Sequence, residues 1–187
     1  MDAIILDGPA VEPVTLAEAK AFLRLDGTDE DDLVGALITA ARLTVERAAR
    51  ITLIRQTWRV TLTRWPAARV LRLPIAPVSA VVAARVVDAS GTATLPAGTC
   101  RLRPDDGSLL SVDPAAAGPG EGGRIEIDLQ CGFGPDAGAV PETLKLAIRR
   151  LVAEWFENRG DEAPRTGLAL PSGVAALLAP YRRARLA

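Results

Sequence analysis

TDEDDLVGALITAARLTVERAARI, residues 28–51, runs straight into TLIRQTWRVTLT, residues 52–63, and the hydrophobic period changes at that junction. In the first stretch Leu33, Leu37, Ala40, Thr44, Ala48 and Ile51 recur at helical spacing, which predicts a helix of about 23 residues, roughly 35 Å long. Thr28 followed by Asp29, Glu30, Asp31 and Asp32 places negative charge at the positive end of that helix. In the second stretch Trp58, Val60 and Leu62 alternate with Arg59, Thr61 and Thr63, the period of a strand with one wet face, and Pro66 ends it. A helix followed by a strand, with no second helical pattern for about 80 residues, points to segregated helices and strands.

Upstream of the junction, Thr15 and Glu18 have the spacing of a capping box, and Leu16, Ala19 and Leu23 then share one helix face. Leu25-Asp26-Gly27 is turn chemistry that separates this helix from the long one. Downstream, strand patterns cover 70–73, 78–87, 99–103, 109–112 and 124–129, divided by Pro, Gly and Asp. The stretch 113–123 is rich in Pro, Ala and Gly and reads as a mobile surface loop.

Helical spacing then returns. Pro141 and Glu142 open a helix through Leu144, Ile148, Leu151, Trp155 and Phe156 that stops at Gly160. Trp155 and Phe156 point about 100° apart, so burying both needs cover on a broad front. After a linker at 161–170, Val174, Leu177 and Leu178 mark a short helix that Pro180 interrupts, and the chain runs on as Tyr181-Arg182-Arg183-Ala184-Arg185. The expected fold is α+β: one domain, 1–187, mainly a helical bundle formed by segments 13–51 and 138–187, with an antiparallel β lobe, 52–137, inserted between them.

The chain has 187 residues, of which 49% are hydrophobic and 24% charged, enough for one compact domain with a real core. It lacks a run of eighteen uncharged apolar residues, and Asp2 and Asp7 stand where a signal peptide is basic, so a soluble, intracellular protein is expected. Cys100 and Cys131 read as buried thiols. The net charge of −1 argues against a broad basic surface for nucleic acid. Its distribution is uneven: 1–51 carries −5, 52–137 carries +1 and 138–187 carries +3. An acidic amino-terminal part and a basic tail can pair within one molecule or head to tail between neighbours in a ring.

There is no histidine, so Ser-His-Asp and Cys-His arrangements are excluded. Gly118, Gly120 and Gly123 match a dinucleotide-binding spacing but precede a strand and lack the helix that would hold pyrophosphate. Asp105 and Asp106, and the run Asp29 to Asp32, lack calcium-loop spacing and read as turn and helix-start residues. No catalytic residue, metal ligand or cofactor is expected.

Val14-Thr15-Leu16-Ala17-Glu18-Ala19-Lys20-Ala21-Phe22-Leu23-Arg24-Leu25-Asp26-Gly27, with Asp31-Asp32-Leu33 and Ala40-Ala41-Arg42, resembles the amino-terminal signature of the head-tail connector (adaptor) proteins of long-tailed bacteriophages. Val140-Pro141-Glu142, Ala147-Ile148 and Trp155-Phe156-Glu157-Asn158-Arg159 resemble that family's last long helix, where a Tyr more usually stands at position 156. Leu170-Pro171-Ser172-Gly173-Val174 and Leu177-Leu178-Ala179-Pro180-Tyr181-Arg182 resemble its closing segment.

The resemblance implies a structural part, not an enzyme: a ring of twelve copies beneath the portal protein, in the neck of a virion or a phage-like particle, assembled in the bacterial cytoplasm. The ring would extend the channel through which genome DNA passes without sequence-specific binding, and would dock the head-closure or stopper protein. Portal binding is then expected at Tyr181, Arg182, Arg183 and Arg185, since Tyr and Arg anchor interfaces. The subunit interface is expected at Asp29, Asp31, Asp32, Arg42 and Glu46. An Ala- and Arg-rich, Lys-poor composition is compatible with a gene transfer agent. The alternative is a DNA-binding helix-turn-helix-like module at 15–51, opposed by the acidic start of its second helix, which phosphates repel.

Overall fold

The computed structural model describes residues 1–104, 106–158 and 170–182. It is α+β and divides into two compact units, Met1–Ala10 with Arg55–Phe133 and Val11–Ile54 with Gly134–Ala187.

The second unit holds the helices α1 (Leu16–Leu23), α2 (Asp31–Ala49), α3 (Glu142–Glu157) and α4 (Ser172–Leu178). The capping box at α1 is formed: the Glu18 N–H donates to Thr15 Oγ1 at 3.2 Å, and the Thr15 N–H donates to the Glu18 carboxylate at 2.7 Å. Arg24, left-handed at φ 58°, ends α1. Gly27, at φ 80°, supplies the positive φ that the connection to α2 requires. The long helix is 19 residues, not 23, because Thr28 to Glu30 form a turn and a left-handed Arg50 closes it.

The buried row of α2 is Val34, Ile38, Ala41, Arg42, Val45 and Ala49. The row expected from spacing, Leu33 to Ala48, lies beside it and is half-buried; only Ile51, past the helix end, is buried. α2 packs on α3 and α1 packs on both. Leu144, Ala147, Ile148, Leu151 and Val152 form the covered side of α3, while Trp155 and Phe156 are each half-buried. Val174 and Leu178 turn α4 toward α3, and Pro180 sits in a short 3-10 turn, Ala179–Tyr181. The stop at Gly160 and most of the 161–170 linker lie outside the described residues.

Among the described residues the first unit holds eight strands: β1 (Asp2–Asp7), β2 (Gln56–Leu62), β3 (Val70–Arg72), β4 (Val78–Asp88), β5 (Gly91–Thr94), β6 (Cys100–Arg103), β7 (Asp106–Val112) and β8 (Arg124–Cys131). They form two antiparallel sheets, β1-β2-β8-β4-β5 and β3-β7-β6. Val60, Leu62, Val86, Ile125, Ile127 and Leu129 of the larger sheet share one core with Leu71, Leu110 and Val112 of the smaller, as in a sandwich. β1 and β5 are not legible from pattern: β1 is a run of consecutive apolar residues without alternation, and β5 has no large apolar side chain.

Cys100 and Cys131 are free and buried in this core, where desolvation pushes their thiols up to about 11 and about 12. Segment 113–123 has no regular structure but is tied down. Trp65 Nε1 donates to the Ala117 carbonyl at 2.8 Å, and Arg69 donates to the carbonyls of Asp113 and Ala116.

Candidate functional site

No group of three or more His, Cys, Asp or Glu among the described residues is placed to hold a metal ion. Among the described residues no helix is long and apolar enough to cross a membrane. The chemistry on offer is that of charged and apolar surfaces.

The acidic start of α2 is divided in its duties. Asp31 is half-buried and paired with the Lys20 ammonium, which also donates to the Gly27 carbonyl, so this pair staples α1 to the start of α2. Asp29 and Asp32 are exposed and carry no ion pair or hydrogen bond among the described residues.

Arg42 and Glu46 are turned into their own unit. Arg42 is 6% exposed; its Nε donates to Glu12 at 2.8 Å and its Nη1 to Glu46 at 2.9 Å. Thr39 Oγ1 adds a 3.0 Å bond to Glu12, and the Leu53 N–H donates to Glu46 at 2.9 Å. The cluster thus joins the chain before α1, the middle of α2 and the chain after it. Burial pushes the Glu46 carboxyl above its usual range, against the opposing pull of the Leu53 N–H and Arg42. Burial also works against the charge on Arg42, but the hydrogen bond from Glu12 and the charge of Glu46 outweigh it and hold its affinity for the proton above normal.

At the carboxy-terminal end, Tyr181 is half-buried with its hydroxyl 3.4 Å from Thr143 Oγ1 at the start of α3. Arg182 is exposed, and its N–H donates to the carbonyls of Leu178 and Ala179. Arg183 and Arg185 lie outside the described residues, as does Asp105. At the start of α3 Glu142 accepts from Lys145 and Arg149, which hold its carboxyl below the usual range. Arg149 also stands 6.0 Å over the ring of Phe22. A groove along α2 of about 320 Å³ is lined by Leu43, Thr44, Arg47, Ala48 and Leu170.

The β unit carries a second ionic cluster that sequence reasoning missed. Asp128, only 4% exposed, receives both Nε (2.7 Å) and Nη2 (3.1 Å) of Arg59, and Arg85 Nη2 at 2.7 Å. Glu126 receives Arg59 Nη1 at 3.2 Å and Arg124 Nε at 2.8 Å. Register explains the arrangement: Arg59 stands opposite Asp128 across β2 and β8, and Arg85 opposite Glu126 across β4 and β8. Burial works against the Asp128 charge, but the hydrogen bonds from Arg59 and Arg85 prevail and keep its carboxyl below its ordinary value. The signal in the sequence is Arg124, Glu126 and Asp128 at alternate positions of one strand, with arginines at matching parity in two others.

The chain matches the model of the phage gp6-like head-tail connector protein family over residues 13–85. It is similar to a chain in the neck of an empty gene transfer agent particle computed with C6 symmetry, at TM-score 0.84 and 32% identity, covering 100% of this chain and 98% of that one. The same identity and coverage hold for a chain in the virion of a native gene transfer agent particle, at TM-score 0.83. They hold also for a chain in the neck of the native particle computed with C12 symmetry, at TM-score 0.82. Among curated proteins none matches.

Proposed function

The chain belongs to the head-tail connector family, and from that premise we propose that twelve copies form a ring under the portal protein of a phage or gene transfer agent particle. The carrying observation is the full-length similarity to a subunit of a particle neck computed with C12 symmetry. In this reading the ring prolongs the DNA channel and offers its far side to the head-closure protein. The work is binding, so what the subunit needs is rigidity and charged, partly apolar flanks.

The helical unit supplies both. The capping box, the Lys20–Asp31 pair and the Arg42 cluster fix the amino-terminal segment, α1 and α2 relative to one another. Asp29 and Asp32 are the carboxylates at the start of α2 left to meet a neighbouring copy, and Arg42 and Glu46 act by bracing that helix. Tyr181 and Arg182, with Arg183 and Arg185 beyond, form the portal contact; the aromatic ring anchors and the guanidinium groups pair with carboxylates. A net charge near zero suits a channel that lets DNA slide without gripping it.

The test uses the full chain and purified portal rings, with a variant lacking residues 182–187, which keeps α4 intact. Co-sedimentation with the portal should be lost while the helical content is unchanged. If the shortened chain still joins portal rings, the portal contact lies elsewhere.

A further inference from the structure

The two sheets leave four open edges: β1 and β5 on the larger, β3 and β6 on the smaller. β1 stands apart from the other three. Ile4, Ile5 and Leu6 are 54%, 50% and 44% exposed, a continuous apolar run on an unpaired edge. Natural sheets shield such edges with charge, proline or a covering element, because the free N–H and C=O groups pair readily with another strand. The only charges on β1 are at its ends, Asp2 and Asp7, both exposed and without an ion pair among the described residues.

Those carboxylates select the partner. Two β1 edges brought together antiparallel would set Asp2 of one copy near Asp7 of the other, a like-charge juxtaposition that disfavours self-pairing. A strand that completes β1 must carry cations at its ends. β5 has no charge. β6 has Arg101 and Arg103, but Arg101 Nε donates to the Gly98 carbonyl at 3.0 Å and Arg103 is also engaged.

β3 fits. Its three residues, Val70-Leu71-Arg72, end on a basic side chain, and the residue just before them, the left-handed Arg69, is basic as well. The Leu73 N–H donates to Ser108 at 2.7 Å and the Val112 N–H to Arg69 at 2.8 Å, so residues 69, 71 and 73 face β7. By the alternation of an antiparallel ladder, the N–H and C=O of Val70 and Arg72 point out of the open edge. The Arg72 side chain is exposed and has no ion pair or hydrogen bond among the described residues; Arg69 donates only to carbonyls.

We propose that β1 of one copy adds to the β3 edge of the next, with Asp2 and Asp7 of the first meeting Arg69 and Arg72 of the second. The contact joins two different edges, so it is heterologous and repeats around a closed ring. This rests on the ring reading above and assigns part of the ring's subunit contact to the β unit, by main-chain hydrogen bonds with charge setting the partner.

The experiment measures ring formation by the full-length chain on portal rings, with assembled mass read by native mass spectrometry. Asp2→Arg with Asp7→Arg, and separately Arg72→Glu, should each raise the concentration for half-assembly about ten-fold, and the three changes together should restore it to within about two-fold. All are exposed positions, so thermal melting of each variant should match the parent. If neither change alters assembly, strand addition is wrong and the ring stands. If both weaken assembly and the combination does not recover it, β3 is not the partner and the proposal is overturned. If the unaltered chain forms no ring on the portal, the ring reading fails and this contact falls with it.

Discussion

The helical unit and the β unit each enclose an ionic cluster, and they are built in opposite proportion. Around Arg42 one guanidinium serves two carboxylates, Glu12 and Glu46. Around Asp128 and Glu126 three guanidinium groups, from Arg59, Arg85 and Arg124, serve two carboxylates. Where cations are scarce, burial wins and the Glu46 carboxyl is pushed up; where they are plentiful, hydrogen bonding wins and the Asp128 carboxyl is held down. The balance between desolvation and the hydrogen bonds each carboxylate receives sets the sign.

The sharpest way to break the comparison is to remove the single cation. Arg42→Ala takes the guanidinium away from Glu12 and the buried Glu46 and should cost about 3 kcal/mol, seen in urea unfolding and in faster amide exchange along α2. Asp128→Asn takes from Arg59 and Arg85 their shortest ionic contacts, at 2.7 Å each, and leaves both with Glu126 alone. Both are about a quarter exposed, so water compensates in part and the loss should be about 2 kcal/mol by the same measurement.

Asp128 also gives a pH signature. Its folded-state affinity for the proton is depressed, so its contribution is present above the ordinary carboxylate value of 3.8 and is lost as pH falls through the lower folded value. Glu46 has the opposite sign: its folded value is raised, so the helical unit gains stability as pH falls through that value toward 4.5. Amide exchange should slow in the helical unit as pH falls toward 4.5, and quicken in the β unit only once pH is below 3.8. The smallest effect is expected at Glu142, whose side chain is 64% exposed. Glu142→Gln should change stability by less than about 0.5 kcal/mol, although it removes two ion pairs.

The elements with strong local signals were legible in the sequence. Thr15 with Glu18, Pro141 with Glu142, and the alternation around Val60 each specify an element through contacts within a few residues, and each is present. β1 was not legible because four consecutive apolar residues, Ala3 to Leu6, fit a strand or a buried turn equally, and only pairing with β2 selects the strand. The charged residues of α2 divide in the same way. Asp29 and Asp32 follow from helix-start chemistry, whereas Arg42 and Glu46 are inward because Glu12 and Leu53, distant in sequence, supply their partners.

The sequence by itself determined that helices flank a β-patterned stretch, where α1 and α3 begin, and that no histidine chemistry is available, because these depend on composition and on neighbours within one or two turns. Only the tertiary structure decided which row of α2 is buried. Leu33, Leu37, Ala40, Thr44 and Ala48 and the adjacent Val34, Ile38, Ala41, Val45 and Ala49 have the same spacing, and packing against α1 and α3 chose the second row. The same holds for the Arg59–Asp128 pair, 69 residues apart along the chain and opposite one another only because β2 and β8 lie side by side.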